Sequence, residues 1–311
     1  MSFKYVREQS TGLLSHHNEE TTDYESVKDG EKRVHVMRHG AEREIRLLIV
    51  VENFRLAFYI VFLTMAIVGL ILTKLFVEGD YGKTLRDAFG VVGICVYFDF
   101  PPSTYVLPSI WSFALIFMYG YAIASVFRVW VAKEEGKVSY RALIVYIACF
   151  IYIVLSIIVF TTCLSVQPDP LKPYTIRIHT APYTNLTIAV WVLAVIVTWF
   201  GETVAWTDVG LPKFYFIFNR VVVALQTISM IGKLIHHINC LGDLDGGLWW
   251  NPNKSENVTT LFKYVDYLFM ITVVVWPLIQ SGILSWKRHK THCVYLSLQD
   301  NRVSGIDEDD L

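Results

Sequence analysis

Residues 56–77 read LAFYIVFLTMAIVGLILTKLFV, a run whose one charge, Lys74, comes late enough for its stem to snorkel to an interface. A helix needs roughly 20 mainly apolar residues to cross a hydrocarbon core of about 30 Å. A soluble amphipathic helix shows one apolar stripe and one polar face, whereas this run is apolar all round. Its solvent is therefore lipid. Five further stretches share the pattern: 105–131, 142–166, 183–206 with Glu202 near its end, 214–235 with Arg220 and Lys233, and 264–286 with Asp266 and an interrupting Pro277. The fold class expected is all-α, a polytopic integral membrane protein built as a bundle of six transmembrane helices. Residues 88–100 are apolar but too short to span, and they end in Asp99 before Pro101-Pro102, which reads as a re-entrant or interfacial segment.

Composition agrees. Of 311 residues 54% are hydrophobic and 18% charged, with a net charge of −1 and a mean hydropathy of +0.43. A disordered, fibrous or disulfide-stapled chain would look different. A nucleic-acid partner would call for a basic surplus, so none is expected. Residues 1–45 are polar and charged, so no cleavable signal peptide is read there, and they are expected to form a flexible cytoplasmic tail. The spans then occupy 46–286, and a second cytoplasmic tail runs over 287–311.

Orientation follows from the Lys and Arg bias of short flanks. Lys28, Lys32, Arg33, Arg38, Arg43 and Arg46 precede the first span, Arg128, Lys133, Lys137 and Arg141 surround the second connection, and Lys287, Arg288 and Lys290 follow the sixth span. Both termini are therefore expected in the cytoplasm. The glycosylation sequons at Asn185, Asn253 and Asn257 fall on the outer side in that arrangement, with Asn185 very close to the membrane. Trp130, Trp206 and Trp286 are expected to anchor the inner ends of their spans.

The five cysteines show no C-x-x-C spacing. Cys95, Cys163 and Cys240 lie toward the oxidising outer side, and Cys95–Cys240 is the preferred disulfide among three possible pairings. Among intramembrane charges, Glu202 and Arg220 sit on either side of a short turn, where an ion pair would satisfy both. It would lock the hairpin of the fourth and fifth spans, or else serve as a relay. Glu52 with Arg55, and Arg128, are expected to snorkel to lipid phosphates. An outer polar cluster comprises His179, Lys233, His236 and Asp266, with His237, Asp243 and Asp245 nearby. Adjacent histidines do not share a helix face, so at most one of His236 and His237 is expected to point into the bundle. Neither a metal nor a haem is expected, and no cofactor.

No nucleotide loop, nucleophile elbow or zinc-protease signature occurs, so a non-enzymatic protein is expected. Gly120-x-x-x-Ala124 offers a close-packing face inside the second span. Tyr24–Val27 and Tyr295–Leu298 fit Tyr-x-x-apolar, a pattern resembling the extended peptides read by clathrin adaptors. The function expected is that of a multi-pass protein organising, escorting or regulating a membrane-protein partner while cycling between cell surface and endosomes. The alternative is a small transporter or channel using Glu202, Arg220 and the outer His/Asp cluster.

Overall fold

A computed structural model describes residues 45–80, 83, 94–169, 171–206, 211–243, 256–286 and 293–298. Seven helices account for most of them: α1 (Val51–Phe76), α2 (Ser103–Glu134), α3 (Tyr140–Phe160), α4 (Pro173–Phe200), α5 (Lys213–Asp243), α6 (Glu256–Met270) and α7 (Trp276–Trp286). The last two are joined by a π turn, Ile271–Val275, into one continuous span, so six helical segments are long and apolar enough to cross a membrane. The π turn has a local cause. Pro277 offers no N–H, and its ring would press on the carbonyl of Val273 in a regular α-helix; a wider turn immediately before it relieves both problems.

Each span packs against the one before it, and α7 closes onto α1, so the six form a ring in sequence order. One end of the ring, here the near end, carries the start of α1 and the end of α7. The other, the far end, carries the end of α1 and the start of α4. The α1–α2 seam is tight because Gly120 lacks a side chain: a Cβ there would lie 2.6 Å from the Phe54 ring. At the near end of α4 a second π turn, Gly201–Ala205, folds Trp206 back over Gly201, where a Cβ would meet the indole at 2.1 Å.

Large residues such as Trp111, Tyr121, Tyr146, Phe160 and Phe200 are wholly buried between helices. Trp111 lies edge-on to Phe160 and donates from Nε1 to Thr161 Oγ1 at 3.2 Å. The outer wall is instead covered with exposed Ile67, Ile71, Phe113, Ile116, Ile151, Leu155 and Ile228. Apolar exposure on that scale is what a lipid solvent requires. The protein is therefore a membrane bundle.

Two expectations change here. Trp130 and Trp286 are exposed, but Trp206 is only 2% exposed. It packs on Gly201 and edge-on to Tyr215, so it is a core residue rather than an interfacial anchor. The fourth helix begins at Pro173, ten residues before the expected boundary, because Pro fits a first helical turn and the later Pro182 is tolerated inside the span. Of the expected interfacial segment, Ile94–Phe98 forms a 3-10 turn with Val96 and Phe98 buried; most of its earlier residues lie outside the described ones.

The chain divides into two units, the ring (49–294) and a unit drawn from the two chain ends. In the second, β1 (Ile45–Val50) and β2 (Cys293–Leu298) pair as a two-stranded sheet. Neither strand was expected: β1 begins at the boundary between the expected first tail and the spans, and β2 lies in the expected second tail.

A candidate solute site in the ring

Glu52, Arg55 and Tyr59 are spaced i, i+3 and i+7 on α1, hence on one face. That face turns into the ring. Glu52 is 1% exposed and Arg55 2%, which overturns the expectation that they snorkel to phosphates. The rotation of α1 about its axis, not its depth, decides their surroundings. Glu52 holds two guanidiniums: Arg55 Nη2 lies 2.8 Å from Oε2, and Arg128 Nη1 from α2 lies 3.1 Å from Oε1. Arg128 also stands over the Phe200 ring at 4.9 Å, and Arg55 over Tyr121 at 5.7 Å. Aromatic faces and a shared carboxylate are what make two buried guanidiniums tolerable.

A polar layer follows. Asn219, Gln226 and Lys233 recur every seven residues along α5 and are all buried. Asn219 donates to Thr198 Oγ1 at 2.9 Å, and its Oδ1 accepts from Trp276 Nε1 at 2.9 Å and Gln280 Nε2 at 2.7 Å. Gln226 donates to the Val190 carbonyl at 3.4 Å. Arg55, Tyr59, Asn219, Gln226 and Gln280 line a cavity of about 20 Å³. A second cavity of about 60 Å³ shares Tyr59, Val190, Leu193 and Val273 with it, and is otherwise walled by apolar residues such as Phe62, Met118 and Phe160.

At the far end Lys233 closes the column. It pairs with Asp266, donates to the Tyr183 hydroxyl at 2.9 Å, and lies 4.6 and 5.0 Å from the Tyr183 and Phe269 rings. His237 shares a 2.7 Å hydrogen bond with Thr184 on α4. His236 stacks at 4.1 Å on Phe262 of α6. Both histidines are buried. They still point in different directions; each direction meets a different neighbouring helix.

His179 belongs elsewhere. Its Nδ1 lies 3.1 Å from both the Cys163 and Val166 carbonyls, and its Nε2 lies 3.7 Å from Asp99 Oδ1. Burial pushes the Asp99 carboxyl well above the usual carboxylate range. The expected outer cluster is thus two separate sites. Among the described residues no group of three His, Cys, Asp or Glu side chains could hold a metal.

Glu202 and Arg220 do meet, through a fork in which Arg220 Nε and Nη2 donate to Oε2 at 2.9 and 2.6 Å. The Arg220 side chain is 68% exposed, so the pair lies on the outer wall and not in the ring. Asn185 sits inside α4, where its Oδ1 accepts from Tyr152 of α3 at 3.0 Å, a helix-packing contact rather than a loop position. Asn257 falls in the first turn of α6, and Asn253 lies outside the described residues. Cys163 is buried, its Sγ 3.6 Å from His179 Nδ1; the side chains of Cys95 and Cys240 lie outside the described ones. Tyr295 and Leu298 are in β2.

Compared with protein-family models, curated proteins and solved structures, the chain matches none. What the sequence reading missed were Glu52, Arg55 and Arg128 as interior groups, and the column Asn219, Gln226. The seven-residue spacing of polar side chains on α5 was the signal for that column.

Proposed function

We propose that the protein is a small transporter or channel that takes a solute into the centre of its helix ring. The observation that carries this reading is the buried column of Arg55, Asn219, Gln280, Gln226 and Lys233: the first four line the smaller of two adjoining cavities, and Lys233 lies 5.0 Å from the ring of Phe269, which lines the larger. Ionisable groups in a membrane interior are costly, and facing a cavity is the usual reason they are present. The site of action is the cell membrane, with both termini cytoplasmic, sugar on Asn253 and Asn257 outside, and endosomal cycling through recognition of Tyr295–Leu298 by a clathrin adaptor.

The test is ion movement from liposomes holding the purified protein, with chloride and potassium followed by electrodes and protons by a trapped dye. Movement above that of protein-free liposomes is expected, lost in Lys233→Met and kept in Glu202→Gln. No movement of any of the three above background would overturn the reading.

A second reading, an organiser or escort of a membrane partner, is favoured by the Glu202–Arg220 pair exposed on the outer wall. There a partner helix carrying polar groups would find charge to engage. In that case Glu202→Gln loses partner assembly and leaves the ring folded.

A further inference from the structure

We infer that Asp99 and His179 bind one proton between them at the far end of the ring, and that this proton latches the turn Ile94–Phe98 as a lid over the larger cavity. This adds a regulating ligand to the proposed transporter and rests on that reading. The binding half stands on Asp99. Its side chain is buried, and among the described residues neither carboxyl oxygen accepts a hydrogen bond. An ionised carboxylate so placed is costly, and taking up a proton removes the cost. Burial accordingly holds this carboxyl well above the usual carboxylate range.

His179 supplies the facing group. Its Nδ1 lies 3.1 Å from the Cys163 and Val166 carbonyls, which accept hydrogen bonds and cannot donate them, so a ring proton is fixed there. Nε2 is left as the acceptor, 3.7 Å from Asp99 Oδ1. One water or a small closure spans that gap, and a single water is far from the hydration shell that an anion needs. In a dry interior the neutral pair of carboxylic acid and imidazole is favoured over two charges. The other groups packed here bring no fixed charge: Cys163 of α3 puts its Sγ 3.6 Å from His179 Nδ1, while α1 and α2 present the hydroxyls of Thr73 and Ser103 beside the turn. On the α3–α4 connection Asp169 and Lys172 face each other at 3.8 Å.

The lid half is a matter of place. Phe98, next to Asp99, lines the larger cavity, and so does Tyr183, one turn along α4 from His179. The pair thus stands one turn farther out than the cavity wall, between the lid and α4. Toward α1 the turn is fastened without charge: Thr73 Oγ1 donates to the Tyr97 carbonyl at 3.1 Å, and a Cβ on Gly69 would lie 3.0 Å from that same oxygen. Losing the proton leaves an anion that must reach water, and moving Asp99 outward takes Phe98 off the cavity. Because the folded-state pKa is the raised one, the latch is complete in acid and is lost as pH rises through that value.

The experiment uses the full-length protein purified in detergent. Amide hydrogen exchange of residues 94–99 is read by mass spectrometry from acid to alkaline pH, each rate divided by that of the free peptide at the same pH, and protonated carboxyl groups are followed by infrared absorption. Protection is expected to fall about tenfold per pH unit above the value at which Asp99 ionises, the linkage for one proton. Asp99→Asn, a neutral isostere, is expected to fold, to stay protected at every pH, and to lack a protonated-carboxyl band that the wild type shows at neutral pH.

A flat wild-type profile overturns the latch by itself, whether or not the variant folds, and so does an equal fall in Asp99→Asn. An infrared spectrum unchanged by the substitution overturns the proton site. The expected exchange and infrared results without ion flux from liposomes at any pH keep the latch and remove the transport reading. Flux with one pH profile for wild type and Asp99→Asn keeps that reading and removes the latch.

Discussion

At the near end of the ring one carboxylate, Glu52, lies sealed beneath two guanidiniums, while another, Glu202, meets a single guanidinium on the outer wall. The chemistry of the partners is the same and the distances are similar, 2.8 Å for Arg55 and 2.6 Å for Arg220. What differs is who else can solvate the charges. Arg220 can draw on headgroups and water, so its pair adds little to the fold. Glu52, Arg55 and Arg128 are buried against one another and beside aromatic rings, so removing one strands charge in the interior. A buried charge cluster is retained at a cost, and a cost in the ring interior points to use.

The largest effect expected is from Glu52→Gln, which removes the carboxylate that the two buried guanidiniums share. A loss of about 3–5 kcal/mol should appear as failure to yield monodisperse protein in detergent; a wild-type Tm would break the contrast between the two pairs. Gly201→Ala comes next, because it disturbs the residue beside Glu202 without altering a charge. The new methyl must displace the Trp206 indole, at a cost of about 1–3 kcal/mol in thermal unfolding. If Glu202→Gln is silent while Gly201→Ala is not, packing and not charge holds that corner.

A double-mutant cycle on Lys233→Met and Asp266→Asn should give a coupling of about 0.5–3 kcal/mol, intermediate between the two near-end pairs. Asp99 supplies a pH test outside the spans. Its folded-state pKa is raised by burial, so its contribution to stability is complete below the unfolded value of about 3.9 and falls as pH rises from there toward the folded value. The slope is at most about 1.4 kcal/mol per pH unit, and Asp99→Asn should flatten it in pH-dependent melts. Smallest of all, Glu202→Gln and Arg220→Gln should leave Tm unresolved from wild type.

The spans themselves were legible, since apolar length is a one-dimensional property and residues 56–77 or 142–166 display it directly. The pairing of Glu202 with Arg220 was equally legible, because a short turn separates them. Rotation about each helix axis was not. A single apolar span has little contrast between its faces, so nothing in 51–76 alone told whether Glu52 and Arg55 looked at lipid or at α2. For the same reason the different directions of His236 and His237 were legible but the helix that each one meets was not. On α5 the faces do have contrast: Asn219, Gln226 and Lys233 share one stripe, and their seven-residue period is written in the sequence.

The ring is ordered as the chain is ordered, with α7 alone returning to α1. During synthesis each newly inserted span finds its predecessor already waiting, and the circle stays open until the last one is released. Until then the α1 flank that will meet α7, where Asn53 later accepts a hydrogen bond from Ser285, has only lipid or a chaperone to lean on. A ribosome stalled before Glu256 would thus hold a five-span horseshoe, its polar lining open along one side, and the arrival of the final span is the event that both completes the wall and encloses whatever the interior has captured.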